Sequence, residues 1–404
     1  MVESKDQESD GASPVLRGIN VISCEHAVAA PLATRHLADL GANVVKVERP
    51  RVGDFARYYD QTVLGQSSHF VWLNRGKRSL TVDLKSEEGR QIVGQLLGHA
   101  DIFVQNLGPG AAQRLSLGGA ALARQHPQLI VCEISGYGPD GPWALRKAYD
   151  LLVQSEVGLV GITGSTDQPA KAGIPAADIA AGMYALSGML LALYQREKTG
   201  LGTVIEVSLL DSLAEWMGYP FYYARYGGSA PPRAGASHGA IAPYGPFRTS
   251  DGSEFVLAVQ NDREWQSFCT LVIRRPDMAA DPRFLTNALR VEHRTVLDDN
   301  VARSLALISG TEAADRCDRA HIAYGHMRDV GLLQDNPQLQ ARRRWAEVGS
   351  PMGPIASLLP PFVMDGGTPT MGPVPSVGEH TEQILKDLGY SGSQISGLRQ
   401  AQII

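Results

Sequence analysis

From Gly18 onward, short apolar runs alternate with segments whose apolar residues return at helical spacing. The runs "GINVISC", "ANVVKVE", "SLTVDL", "DIFVQN" and "QLIVCEIS" read as strands. Between them, "PLATRHLADLG" reads as a helix opened by Pro31 and closed by Gly41, and "EEGRQIVGQLLGHA" as a second helix started by Ser86. Strands separated by helices in this way predict a doubly wound, largely parallel α/β sheet. Farther on, Ile179, Met183, Leu186, Leu190 and Leu193 step by four, three, four and three, and the run ends in "REKTGLG". That spacing predicts a long helix with an apolar stripe and cations at its C-terminus. After a strand at "TVIEVS" and a helix through Trp216, "YYARYGGSAPPRAGASHGAIAPYGPF" is dense in Gly, Pro and Ala and reads as a linker with a loop.

The domain organisation follows. Residues 1–15 read as a polar, disordered leader, 16–224 as the first part of a large α/β domain, 225–330 as linker and a smaller α+β middle lobe, and 331–404 as a return segment that completes the large domain. A length of 404 residues with 44% hydrophobic content suits two lobes.

Charge and cysteine usage then exclude several classes. A net charge of -5 without any cluster of Lys and Arg argues against nucleic acid as a partner. Four well-separated cysteines form no disulfide or zinc pattern, which fits a reducing, cytoplasmic setting. No stretch approaches an uninterrupted membrane-spanning length, so no membrane partner is expected.

The familiar catalytic signatures are missing. The first turn, "CEHAVAAP", lacks GxGxxG, and HExxH and GxSxG do not occur. "NRGKRS" resembles a P-loop ending only superficially, and no metal set is expected. Carboxylate chemistry remains. Asp178, in "GIPAADIAAGMYALSG", stands at the predicted start of the long helix. Two readings are open there: an N-cap, which aspartate favours, or a nucleophile toward an activated acyl group, kept ionised by the helix dipole.

The ordered segments "LRGINVISCEHAVAAPLATRHLADLGANVVKVERP", "GDFAR", "NRGKRSLTVDLK", "DIFVQNLGPGAAQRL", "ISGYGPDGP" and "VPSVGEHTEQILKDLG" resemble class III CoA-transferases, the family that includes formyl-CoA transferase and α-methylacyl-CoA racemase. The resemblance covers nearly the whole chain after the leader. It implies a Rossmann-like large lobe built from both chain ends and an interlocked homodimer. It also implies that Asp178 attacks a donor acyl-CoA, forming first an aspartyl anhydride and then an aspartyl-CoA thioester. Coenzyme A would act as substrate, with no tightly bound cofactor.

For CoA contacts the resemblance points to Ala27 in the first turn, Arg49, Lys77, Asn106, Leu107, Arg114 and Lys147. From residue type alone, Arg49 and Lys77 are solvated cations, Asn106 a turn amide, Arg114 a helix-surface charge and Lys147 an exposed loop residue. The racemase branch carries a histidine where this chain has Tyr149, and a phenol with a pKa of about 10 exchanges an α-proton poorly near neutral pH. Asp150 beside it orients the site or holds a structural hydrogen bond. In place of a glycine-run loop the chain has "GASHGAIAPYG", where His238 and Gly239 form a stiffer cover or an ordinary exposed loop. Arg233 and Arg248 are candidate cations for a second substrate carboxylate. The wording "KAYDLLVQSEVGLVGITG" looks most like members using itaconate, mesaconate, citramalate or succinate, with succinyl-CoA as donor. An acyl-CoA racemase or isomerase and a non-catalytic CoA-binding protein are the alternatives.

Overall fold

A computed structural model describes residues 14–365 and 368–404. The leader expected over residues 1–15 therefore lies outside the described residues except for Pro14 and Val15.

Six parallel strands form the central sheet: β1 (Asn20–Cys24), β2 (Asn43–Glu48), β3 (Lys77–Thr81), β4 (Ile102–Gln105), β5 (Ile130–Ser135) and β6 (Val204–Ser208), in the order β3-β2-β1-β4-β5-β6. The register aligns Ile22 with Val45 and Phe103. Because side chains alternate across a strand, Ile22, Val45, Leu80, Phe103 and Val131 share one core. Ile92, Val93 and Leu97 from the helix Glu87–Leu97 pack into it. So do Ile384, Leu385 and Ile395 from the return segment, whose helices are Thr381–Asp387 and Gly392–Gln400. Each such fully buried side chain contributes roughly 1.5–3 kcal/mol of apolar burial.

The chain divides into two compact units. The first comprises the chain through Val157, Gly173–Gly218 and Leu339–Ile404, and includes the sheet and the antiparallel hairpin β10 (Trp345–Val348) and β11 (Ile355–Leu358). The second comprises Gly158–Ala172 and Tyr219–Gln338. It holds the antiparallel sheet β7 (Tyr244–Arg248), β8 (Glu254–Ala258) and β9 (Ala323–His326), with a core around Phe255, Trp265, Phe268 and Leu297. Beyond running over 219–338 where 225–330 was expected, it includes residues 158–172. The Arg233 guanidinium explains this, since it donates to the carbonyls of Gly161, Ser165 and Thr166 at 2.9–3.1 Å. The expected linker also begins as a helix, Gly218–Gly227.

The long helix runs over Ala176–Thr199 and closes on Gly200, whose φ of +72° suits glycine and whose N–H reaches the Arg196 carbonyl. Its buried face differs from the predicted stripe. Ala177, Ala180, Ala181, Ala185, Met189 and Ala192 are buried together with Gly182 and Leu186, while Leu190 is exposed. Small residues admit close backbone approach: a Cβ on Gly182 would lie 2.7 Å from the Ala29 carbonyl of the neighbouring helix Ala29–Asp39. By length and composition this helix also passes as a membrane span, contrary to the sequence expectation, although half of its most apolar window is buried within the protein.

Candidate active site

The strand order reverses between β1 and β4, and the crevice beyond the C-terminal ends of such strands is where this architecture takes ligands. The turn after β1 does without glycine. Ala27 adopts φ +59°, a conformation that costs roughly 1–2 kcal/mol for a non-glycine residue. Two side chains hold it. Asn106, just past β4, accepts from the His26 N–H (2.8 Å) and donates to the His26 carbonyl (2.9 Å). Asp54 accepts from the Ala27 N–H at 3.4 Å and the Ala56 N–H at 2.9 Å. Ala27 and Asn106 thus build the crevice wall through backbone geometry.

Beneath this turn lies a charged cluster that sequence reading missed. Ser23, Lys46 and Ser79 align across β1, β2 and β3 as one polar row on the face opposite Ile22. The Lys46 ammonium lies 2.9 Å from Asp54 and 3.4 Å from Glu25. Glu48 takes a bidentate pair from Arg57 and a hydrogen bond from Ser79. Burial raises the cost of charge on Glu25, Glu48 and Asp54, yet their cationic and hydrogen-bonding partners outweigh it and hold all three below the usual carboxylate range.

Lys77 belongs to this cluster, which corrects its expected place at the CoA phosphates. Its ammonium is buried and donates to Glu25 (2.7 Å), the Pro31 carbonyl (3.0 Å) and Asn74 (3.1 Å), so all three N–H groups are occupied. Burial drives its pKa down to about 7.

Asp178 sits inside the first turn of the long helix, not ahead of it as an N-cap. The cap comes from a residue distant in sequence. Asp150, in the first turn of the helix Asp150–Glu156, accepts through Oδ1 from the N–H groups of Ala177 (2.7 Å) and Asp178 (3.3 Å). Two of the free N–H groups of a helix start are thereby satisfied. The Asp178 carboxylate accepts no hydrogen bond from the described residues, and burial together with the nearby Asp150 charge pushes its pKa up to about 7. This reverses the expectation that the helix dipole keeps it strongly ionised. A less stabilised carboxylate is more basic and a better nucleophile.

Tyr149 and Tyr59 complete these surroundings. Tyr149 precedes the Asp150 helix and is 67% exposed. Tyr59 lies close enough to Asp54, Asp178 and Tyr149 to feel their charges, and burial first, with those charges adding, pushes its phenol up to about 12. Tyr59 and His26 carried no signal in the sequence beyond being polar residues in otherwise apolar or turn-like stretches.

The other predicted positions separate into those at the crevice edge and those in the second unit. Arg49 follows β2, is exposed, and lies near enough to His26 to disfavour its protonation. Leu107 packs against the sheet core just past β4, and Arg114 ends the short helix Ala111–Arg114 in the same connection. Lys147 is exposed in the loop after β5. In the second unit His238 stacks on Tyr244 (5.2 Å, 8°), and its Nδ1 accepts from the Ala240 N–H. Arg294 donates to the carbonyls of His238 and Ile241, and Asn287 to that of Ala240, so this loop is clamped. Arg233 is likewise committed to three carbonyls, which removes it as a free cation, whereas Arg248 is exposed at the end of β7. A Cβ on Gly239 would meet nothing closer than 3.8 Å. Gly239→Ala is therefore expected to leave stability within about 0.5 kcal/mol of the parent in a urea titration. Among the described residues no group of three or more His, Cys, Asp or Glu is placed to hold a metal ion.

Comparison with known proteins places the chain in a family. The model of CoA-transferase family III matches residues 16–381. An acetyl-CoA:oxalate CoA-transferase of Acetobacter aceti is 34% identical, covering 83% of this chain and 87% of that protein. A succinate–glutarate CoA-transferase of Agrobacterium fabrum is 32% identical over 93% of this chain and 96% of that protein. A crystal structure of a CAIB/BAIF family protein from Brucella suis superposes with a TM-score of 0.82 at 31% identity, covering 93% of this chain and all of that one. The chain belongs to CoA-transferase family III and is an enzyme.

Proposed function

We propose that this enzyme moves coenzyme A from an acyl-CoA, with succinyl-CoA the first donor to test, onto a small dicarboxylic acid. The observation that carries the reading is the Asp178 carboxylate, which accepts no hydrogen bond from the described residues at the start of the long helix, with Asp150 capping the helix in its place. In the proposed sequence an Asp178 oxygen attacks the thioester carbonyl, the C–S bond breaks, and CoA thiolate leaves an aspartyl-acyl anhydride. The thiolate then attacks the Asp178 carbonyl, releasing the donor acid and leaving an aspartyl-CoA thioester. The acceptor carboxylate attacks that thioester, and the thiolate released takes the acceptor acyl group from the second anhydride, which returns Asp178 as a carboxylate. The dicarboxylate assignment is supported by relatives named for succinate, glutarate, citramalate and oxalate.

A donor and acceptor panel read by product mass tests this. Succinyl-CoA with glutarate, citramalate, itaconate, mesaconate or oxalate should yield the CoA ester of at least one acceptor. Deuterium entering the α-position of an acyl-CoA in D2O without any acceptor would instead make the enzyme a racemase, and binding without exchange would make it a CoA-binding protein. Arg49 is proposed to stack on the adenine, so Arg49→Ala should raise KM for the acyl-CoA about tenfold with kcat changed less than twofold.

The proposal extends to a homodimer of interlocked subunits in the cytoplasm. Exposed Tyr184, Leu191 and Tyr194 on the long helix support a second copy as cover, and four buried free cysteines support a reducing compartment. Light scattering should give twice the chain mass.

A further inference from the structure

Asp150 turns one oxygen toward the helix start, and the other is held by the side chain of Gln154. Gln154, one turn farther along the helix Asp150–Glu156, is fully buried. Its Nε2 donates to Asp150 Oδ2 at 2.6 Å and reaches the Ile174 carbonyl at 3.4 Å. Both are acceptors, which fixes the orientation of the amide: with Oε1 and Nε2 exchanged, an oxygen would face two oxygens. Ile174 lies in the lead-in to the long helix, immediately before Pro175. One buried amide therefore ties together the capping carboxylate and the strand of chain that delivers the capped helix.

Resting on the reading of Asp178 as nucleophile, we propose that Gln154 is a positioning residue for it. Its amide locks the Asp150 carboxylate across the start of the long helix, and that lock fixes the setting in which Asp178 reacts. The consequence is electrostatic as well as geometric. With Asp150 held in place, the N–H groups of Ala177 and Asp178 are occupied by Asp150, and a like charge stands beside the Asp178 carboxylate. With Asp150 released, those N–H groups are free and the like charge moves off. Both changes favour the ionised form of Asp178. The titratable groups whose charges reach Asp178 are Asp150 and Tyr59, and only Asp150 is held by Gln154.

The test is a double-mutant cycle read by titration. Carboxyl 13C shifts of aspartate-labelled full-length protein, assigned to Asp178 by difference from Asp178→Asn, give its midpoint whether or not the residue reacts. From a parent midpoint of about 7, Gln154→Met should lower the value by about one unit and Asp150→Asn by one to two. The double variant should match Asp150→Asn within about 0.3 unit, because in this proposal the effect of Gln154 on Asp178 runs through Asp150. Gln154→Asn keeps a buried amide one methylene short and should move the midpoint in the same direction, which covers the case in which the methionine variant folds poorly. An unchanged midpoint in the Gln154 variants, or a double variant showing the sum of the two single shifts, overturns the proposal. Failure of the nucleophile reading appears separately, as absence of any acyl-enzyme adduct in the parent protein.

Discussion

Replacing Asp178 with asparagine should abolish CoA transfer while making the protein more stable at alkaline pH. An amide oxygen is a poor nucleophile toward a thioester, so steady-state turnover should fall at least about a thousandfold, with the KM for acyl-CoA little changed in any residual activity. The stability effect runs the other way. Folding lifts the Asp178 pKa to about 7, so between roughly pH 4 and pH 7 the folded chain holds a proton that the unfolded chain has released. Stability from this group is therefore lost as pH rises through that window. Asparagine never ionises and escapes the loss. Allowing for solvent screening of a half-buried group, the variant should gain about 2 kcal/mol over the parent at pH 8 and nothing at pH 4, read by urea unfolding at both pH values. A gain that is the same at both would mean that the ionisation of Asp178 is not its source.

The largest loss of stability is expected at Lys46. Three carboxylates, Glu25, Glu48 and Asp54, face three cations, Lys46, Lys77 and Arg57, and all of these groups are buried or nearly so. Lys46→Met keeps the volume and removes the ammonium between Asp54 and Glu25. Breaking a buried pair from one side leaves the other charge without compensation and costs about 3–5 kcal/mol, which urea unfolding at pH 7 would read directly. Because Asp54 also holds the Ala27 N–H, any folded variant should show a raised KM for acyl-CoA with kcat less affected. Removing Asp54 together with Lys46 should recover part of the lost stability, since charge is then removed from both sides.

The sheet was legible because buried parallel strands are written as apolar runs, and the Gly200 stop because a left-handed helix end calls for glycine. The buried face of the long helix was not. Its packing depends on Ala177, Ala181, Gly182 and Ala185, which carry little periodic signal, whereas the conspicuous leucines include exposed positions. The charged cluster stayed hidden because Lys46, Glu48 and Lys77 occupy alternate or edge positions in strands, where polar residues usually face water. Asp178 was found, with capping and nucleophilic attack both open from its local sequence. Local sequence cannot reveal that Asp150, 28 residues away, already serves the helix end, and that displacement is what leaves the Asp178 carboxylate unsatisfied.

The covalent step offers the most direct measurement. Intact-mass and peptide mapping after brief mixing with succinyl-CoA should show an acyl or CoA adduct on the peptide containing Asp178, removed by hydroxylamine and missing in Asp178→Asn. An adduct of the same yield in that variant, or one mapped to another residue, would contradict the account.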